Sequence, residues 1–149
     1  MKKIFISGLA LVILLPLLVA GCASGKEASP TPTPATGMVE ITLDEFAAQA
    51  DMNKFVETTY PGTVTVRLGA NHTTGYAWEV TEIVHPEVII EASNDYEEPA
   101  AGLVGAGGTE VRVFNTTDTG LAIIRLSYSQ PWAGGDKDLY TVTVNVNIR

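Results

Sequence analysis

The side chains able to do acid, base, nucleophilic or metal chemistry are few in this chain and badly spaced for it. His72 and His85 stand at no ligand spacing from each other, from a cysteine or from a carboxylate pair, so a zinc site is not expected. Cys22 is the only cysteine, which leaves no disulfide and no thiolate nucleophile for a folded domain. No Gly-x-Ser-x-Gly elbow occurs to present a serine. Carboxylates are plentiful, among them Glu97, Glu98, Asp136 and Asp138, but acidic pairs in loops are usually solvated and none is given an acid or base role. The glycine stretch 102–108 could wrap a phosphate with free backbone N–H groups, yet such a cradle must open into a helix. Here a strand-like run, Thr109 to Phe114, follows, and the loop holds no lysine. The expectation is a binding protein, not an enzyme, with no cofactor and no metal.

Three segments then stand out as surfaces for contact: Asn71, His72, Thr73, Thr74, Gly75 and Tyr76; Gly105, Ala106, Gly107 and Gly108; and Gln130, Pro131 and Trp132. What must position them is a set of strands. From Met38 to Arg149 the apolar residues recur with period two in short runs between Gly, Pro, Asn and Asp clusters. The runs are 39–43, 63–68, 76–83, 88–92, 109–114, 121–128 and 139–148. Alternation puts Val64, Val66 and Leu68 on one face, and Val142, Val144, Val146 and Ile148 likewise. Tyr76, Trp78, Val80 and Glu82 share a side, with Trp78 read as a core plug. Residues 44–52 carry helix signals, acidic residues in the first turn and a Phe46, Ala47, Ala50 stripe, with a loop as the alternative. The pattern predicts an all-β, immunoglobulin-like β-sandwich of about seven to eight strands without a disulfide. In that topology the three segments, each joining consecutive strands, emerge at one end.

Taken in order, the three segments resemble the contact loops of the chagasin family of cysteine protease inhibitors: Asn-Pro-Thr-Thr-Gly-Tyr or Phe, Gly-x-Gly-Gly and Arg-Pro-Trp. The resemblance extends to Trp78, to Gly105 through Glu110 and to Leu126, Ser127 and Tyr128. It implies a reversible, proteinaceous inhibitor of papain-like cysteine proteases, expected to act as a monomer. Residues 71–76 would be the tip that enters the V-shaped cleft, with Thr73 and Thr74 near the catalytic cysteine. The bare glycine backbone and the Trp132 ring would lie against the two walls. His72 stands where the family usually has proline, which predicts a looser tip, and Gln130 replaces an arginine, which predicts a shifted target preference. Two other classes fit the same pattern less specifically: an immunoglobulin-like adhesion module using these loops on another partner, and a hydrolase with an unrecognised site.

Residues 1–21 read as a lipoprotein signal peptide: Lys2 and Lys3, an apolar run, then Val19, Ala20, Gly21 and Cys22, which resembles the bacterial lipobox whose cysteine is lipidated. Residues 22–37, rich in Ser, Thr and Pro, read as a linker, and 38–149 as the inhibitor domain. The expected location is extracytoplasmic, held to the cell or outer membrane by lipid on Cys22. The chain has 9 basic and 17 acidic side chains, a net charge of −8. Loss of Lys2 and Lys3 with the signal leaves 7 against 17, or −10, the wrong sign for a nucleic-acid binder.

Overall fold

The computed structural model describes residues 35–99 and 106–149; the signal segment, Cys22, the linker up to residue 34, and Gly105 lie outside the described residues. Eight strands and one short helix follow in the order β1 (Ala35–Ile41), α1 (Leu43–Ala48), β2 (Asp51–Thr58), β3 (Gly62–Ala70), β4 (Ala77–Val84), β5 (Ile89–Glu97), β6 (Gly108–Thr116), β7 (Gly120–Ser129) and β8 (Tyr140–Ile148). They form two four-stranded sheets, β1-β3-β6-β5 and β2-β8-β7-β4, packed as a sandwich of immunoglobulin-like architecture. The first two strands join their sheets in parallel, β1 on β3 and β2 on β8, and the remaining pairs are antiparallel.

The core follows from alternation. Val64, Val66 and Leu68 from one sheet and Val142, Val144 and Val146 from the other are buried, interleaved with half-exposed threonines, asparagines and Arg67. Each predicted run overlaps a strand, though 39–43 runs past the end of β1 into α1, and there are two further differences. Residues 51–58 form a strand that the period-two pattern did not announce, and the helix ends at Ala48 instead of reaching Met52. On β2 the inward positions are Met52, Lys54, Val56 and Thr58, while Phe55 points outward and is exposed, so the polarity pattern is half inverted. The strand is held chiefly by its ladder to β8. The second difference is Glu82, expected to share a side with Trp78. A register shift between Val80 and Glu82 turns it outward, where it pairs with Arg125. The first strand begins at Ala35, inside the stretch read as linker.

At one end of the sandwich α1 acts as a lid on the core. Thr42 and Glu45 form a reciprocal capping box that starts the helix, and its first turn carries Asp44 and Glu45. Phe46, wholly buried, then packs on Trp78 at 4.8 Å and on Tyr140 at 5.3 Å between ring centroids. Tyr128 continues the cluster, 5.1 Å from Trp78 and 5.8 Å from Tyr140. Trp78 is therefore the core plug its alternation predicts, and its indole N–H donates to the carbonyl of Gly69 at 3.0 Å.

Candidate functional site: three loops at one end

The segment 71–76 connects β3 to β4 and so crosses from one sheet to the other. The glycine segment precedes β6 within the first sheet, and Gln130, Pro131 and Trp132 follow β7 within the second. Because Ala70 pairs with Gly108 and Ala77 pairs with Ser129, all three connections leave the same end of the sandwich. The crossing loop lies between a hairpin of each sheet, a projecting tip with two flanks.

The tip is shaped by its own side chains. Asn71 caps a single 3₁₀ turn, His72–Thr74, its side-chain oxygen accepting from the backbone N–H of Thr73 at 3.2 Å and from the Thr73 hydroxyl at 2.6 Å. The Thr74 hydroxyl donates to the Asn71 carbonyl at 2.6 Å. Both threonine protons are thus spent inside the loop, and a partner would meet hydroxyl lone pairs and methyl groups. Below, the Tyr128 hydroxyl accepts from the Asn71 backbone N–H at 2.7 Å. Burial pushes the Tyr128 phenol above its ordinary range, so it stays protonated. Gly75 closes the turn in the left-handed region, φ +80°, which a glycine adopts without steric cost.

Gly75 also joins the tip to the tryptophan flank. A Cβ there would lie 2.4 Å from Cη2 of Trp132, so the indole rests directly on the glycine backbone while remaining half exposed at 50%. The Tyr76 hydroxyl donates to Asp136 at 2.7 Å, and this bond is the main reason that its pKa is raised. Gln130 does not reach outward: its side-chain oxygen accepts from the Asp136 N–H at 3.1 Å, and its carbonyl accepts from Lys137 Nζ. Asp138 and the buried Ser127 and Ser129 secure the base of this loop, with the Ser129 hydroxyl accepting from the Asp138 N–H at 2.9 Å. Pro131 is exposed beside Trp132.

On the other flank Ala106 is half-buried and Gly107 exposed. The absence of side chains serves the scaffold first. A Cβ on Gly107 would come within 2.5 Å of Leu43 Cδ1, and one on Gly108 within 2.3 Å of the Glu97 carbonyl and 2.6 Å of the Tyr96 hydroxyl. Sequence reasoning assigned this bareness to a partner's approach; the structure adds close packing against α1 and β5.

His72 has partners that its place in the sequence did not announce. Proline's absence predicted a looser tip, but the imidazole is fastened: Nε2 lies 2.9 Å from Oε1 of Glu110, and the ring stacks on Tyr96 at 3.8 Å between centroids. Tyr96 thus supports the site without having been singled out from sequence, while Glu110 and Tyr128 entered only through the family resemblance and Asp136 only as a solvated loop acid. Among the described residues no group of His, Cys, Asp or Glu is arranged to hold a metal ion.

An immunoglobulin-like sandwich bearing three mutually braced loops at one end defines a binding module. The sequence pattern of the chagasin family of peptidase inhibitors, I42, matches residues 61–146, and the chain belongs to that family. Chagasin of Trypanosoma cruzi is 34% identical over 89 residues, which cover 56% of this chain and 81% of that protein. Among solved structures, the cysteine protease inhibitor EhICP2 of Entamoeba histolytica superposes with a TM-score of 0.58 at 24% identity, covering 78% of this chain and 100% of that one. PbICP-C, solved in complex with falcipain-2, superposes with a TM-score of 0.54 at 16% identity over 76% of this chain and 98% of that one. The two structures establish likeness of fold; the family is one of peptidase inhibitors, not enzymes.

Proposed function

We propose that this inhibitor acts reversibly on papain-like cysteine proteases, one copy per enzyme, by filling the active-site cleft with its three loops. The observation that carries the proposal is the bracing of Trp132 on Gly75, which sets a large, half-exposed ring beside a narrow tip whose Thr73 and Thr74 are exposed. A cleft with a reactive floor needs such a wedge and a grip on its walls. Residues 71–76 are the tip, Gly105 to Gly108 and Gln130 to Trp132 the flanks. Pre-formed loops lose little freedom on docking, so an ordinary interface of about 800 Å² per partner can still bind tightly. The names of two structural relatives agree with a cysteine protease target: one is called a cysteine protease inhibitor and the other was solved with falcipain-2.

Attachment through a lipid on Cys22 suits this geometry. The described chain enters at Ala35, which pairs with Gly62 at the start of β3, whereas the tip follows Ala70 at its end. Nine residues of strand separate the two, about 30 Å at roughly 3.3 Å per residue. The Cys22→Ser variant is expected to appear in the soluble fraction.

The test is inhibition of a panel of papain-like enzymes by the domain from Ala35 onward. Trp132→Ala is expected to weaken inhibition by a factor of about 30 or more, since truncating an interface tryptophan costs about 2 kcal/mol or more. Its melting temperature should stay within about 2 °C of the parent, because an exposed ring adds little to folding. Equal inhibition by this variant would remove the tryptophan loop from the contact surface, and no inhibition of any enzyme in the panel would overturn the target class.

A further inference from the structure

His72 sits in the middle of the tip sequence, and although 42% of its side chain is exposed, its imidazole turns to Glu110 and Tyr96. From the structure we infer that His72 is a positioning residue: its imidazole latches the tip onto Glu110 and Tyr96, locking the tip and the glycine flank into one preassembled unit. The inference deepens the inhibitor reading and rests on it for its consequence in binding.

The latch is built from three elements. Glu110, on β6 two residues after Gly108, is 3% exposed, and a buried carboxylate must find partners. Its Oε1 accepts from the Trp78 backbone N–H at 2.9 Å and faces His72 Nε2 at the same distance, while Oε2 lies 3.4 Å from Arg112. As the Nε2–H tautomer or as imidazolium, His72 donates to this carboxylate. Tyr96, on β5, stacks on the imidazole with rings 17° from parallel. Its hydroxyl accepts from the Gly108 N–H at 3.0 Å and faces the Ala70 carbonyl at 3.5 Å. One ring therefore touches the glycine flank, the root of the tip and the tip itself. Thr73 and Thr74, next in the chain, remain exposed.

A contact residue and a positioning residue differ in kinetics. Removing a contact made in the complex chiefly speeds dissociation. Removing a latch lowers the fraction of free inhibitor whose tip is ready, which scales the apparent affinity by that fraction and slows association with dissociation unchanged. The experiment measures association and dissociation rates with papain for the wild-type domain, His72→Ala and His72→Gln, together with amide hydrogen exchange at Thr73, Thr74 and Gly75 in the free proteins. The expected result for His72→Ala is association slowed about tenfold, unchanged dissociation and exchange faster by a similar factor. His72→Gln keeps an N–H donor for Glu110 and should recover part of both. Faster dissociation with unchanged exchange would make His72 a contact residue and overturn the latch. Should the wild-type domain fail to inhibit any papain-like enzyme, the inhibitor reading falls by itself. The latch is then judged by exchange alone, upheld by acceleration in His72→Ala that Gln reverses and overturned by equal rates.

Discussion

The two ends of the sandwich are closed by different chemistry. At the loop end, aromatic rings and buried charge do the work: Phe46, Trp78, Tyr128 and Tyr140 stack beneath the loops, and Glu110, Arg112 and Glu91 run as a charged chain along the sheet. At the opposite end, threonine hydroxyls bind backbone carbonyls. Thr58 Oγ1 lies 2.8 Å from the Ala35 carbonyl, and Thr116 Oγ1 lies 3.1 Å from that of Thr59 and 3.0 Å from that of Gly62. Large rings set the position of several loops at once, whereas a hydroxyl fastens only the strand ends it touches. Ring packing is concentrated at the end where a partner is proposed to dock, which is where preorganisation would lower the cost of binding.

The comparison breaks most readily at Phe46. It is fully buried between Trp78 and Tyr140, so Phe46→Ala is expected to cost about 3–5 kcal/mol of folding stability and, with the floor gone, to weaken inhibition as well. Chemical denaturation beside an inhibition assay checks both; a stable variant with full inhibition would show that the aromatic floor does not hold the loops. Next comes Gly75. Gly75→Ala should cost about 1–2 kcal/mol for its left-handed backbone and also push Trp132 aside, reducing inhibition about tenfold. Gly134 is the control, since it too has positive φ, +78°, but nothing lies within 4 Å of where its Cβ would be. Gly134→Ala is expected to lose similar stability and keep its inhibition.

The same contrast explains what could be read from the sequence. Strands buried on one face, such as β3 and β8, show in their valines, and a loop motif shows in its residue types, so the fold class and the three segments were legible. The second strand was not, because Lys54 lies on its inward side and Phe55 on its outward side, and a parallel pairing with β8 joins residues about 90 positions apart. Nor was the role of His72 legible. Local rules see a missing proline; the compensating partner is Glu110, 38 residues along the chain, and only strand register brings it near. The packing role of the glycines was hidden in the same way, since Leu43 and Tyr96, which would clash with a side chain at Gly107 and Gly108, come from other segments.

The smallest expected effect belongs to the threonine end. Thr116→Val keeps the shape of a side chain that is 7% exposed and removes only its hydroxyl, leaving the carbonyls of Thr59 and Gly62 one donor short. A lost hydrogen bond of this kind costs about 1 kcal/mol, or about 4 °C in melting temperature for a domain of this size. Because Thr116 lies at the far end of β6 from Gly108, inhibition by the folded variant should match the parent at temperatures where both remain folded. If Thr116→Val weakened inhibition as much as Gly75→Ala, the two ends would be mechanically coupled through the strands. The loop end would then owe its rigidity to the whole sandwich instead of to the rings beneath it.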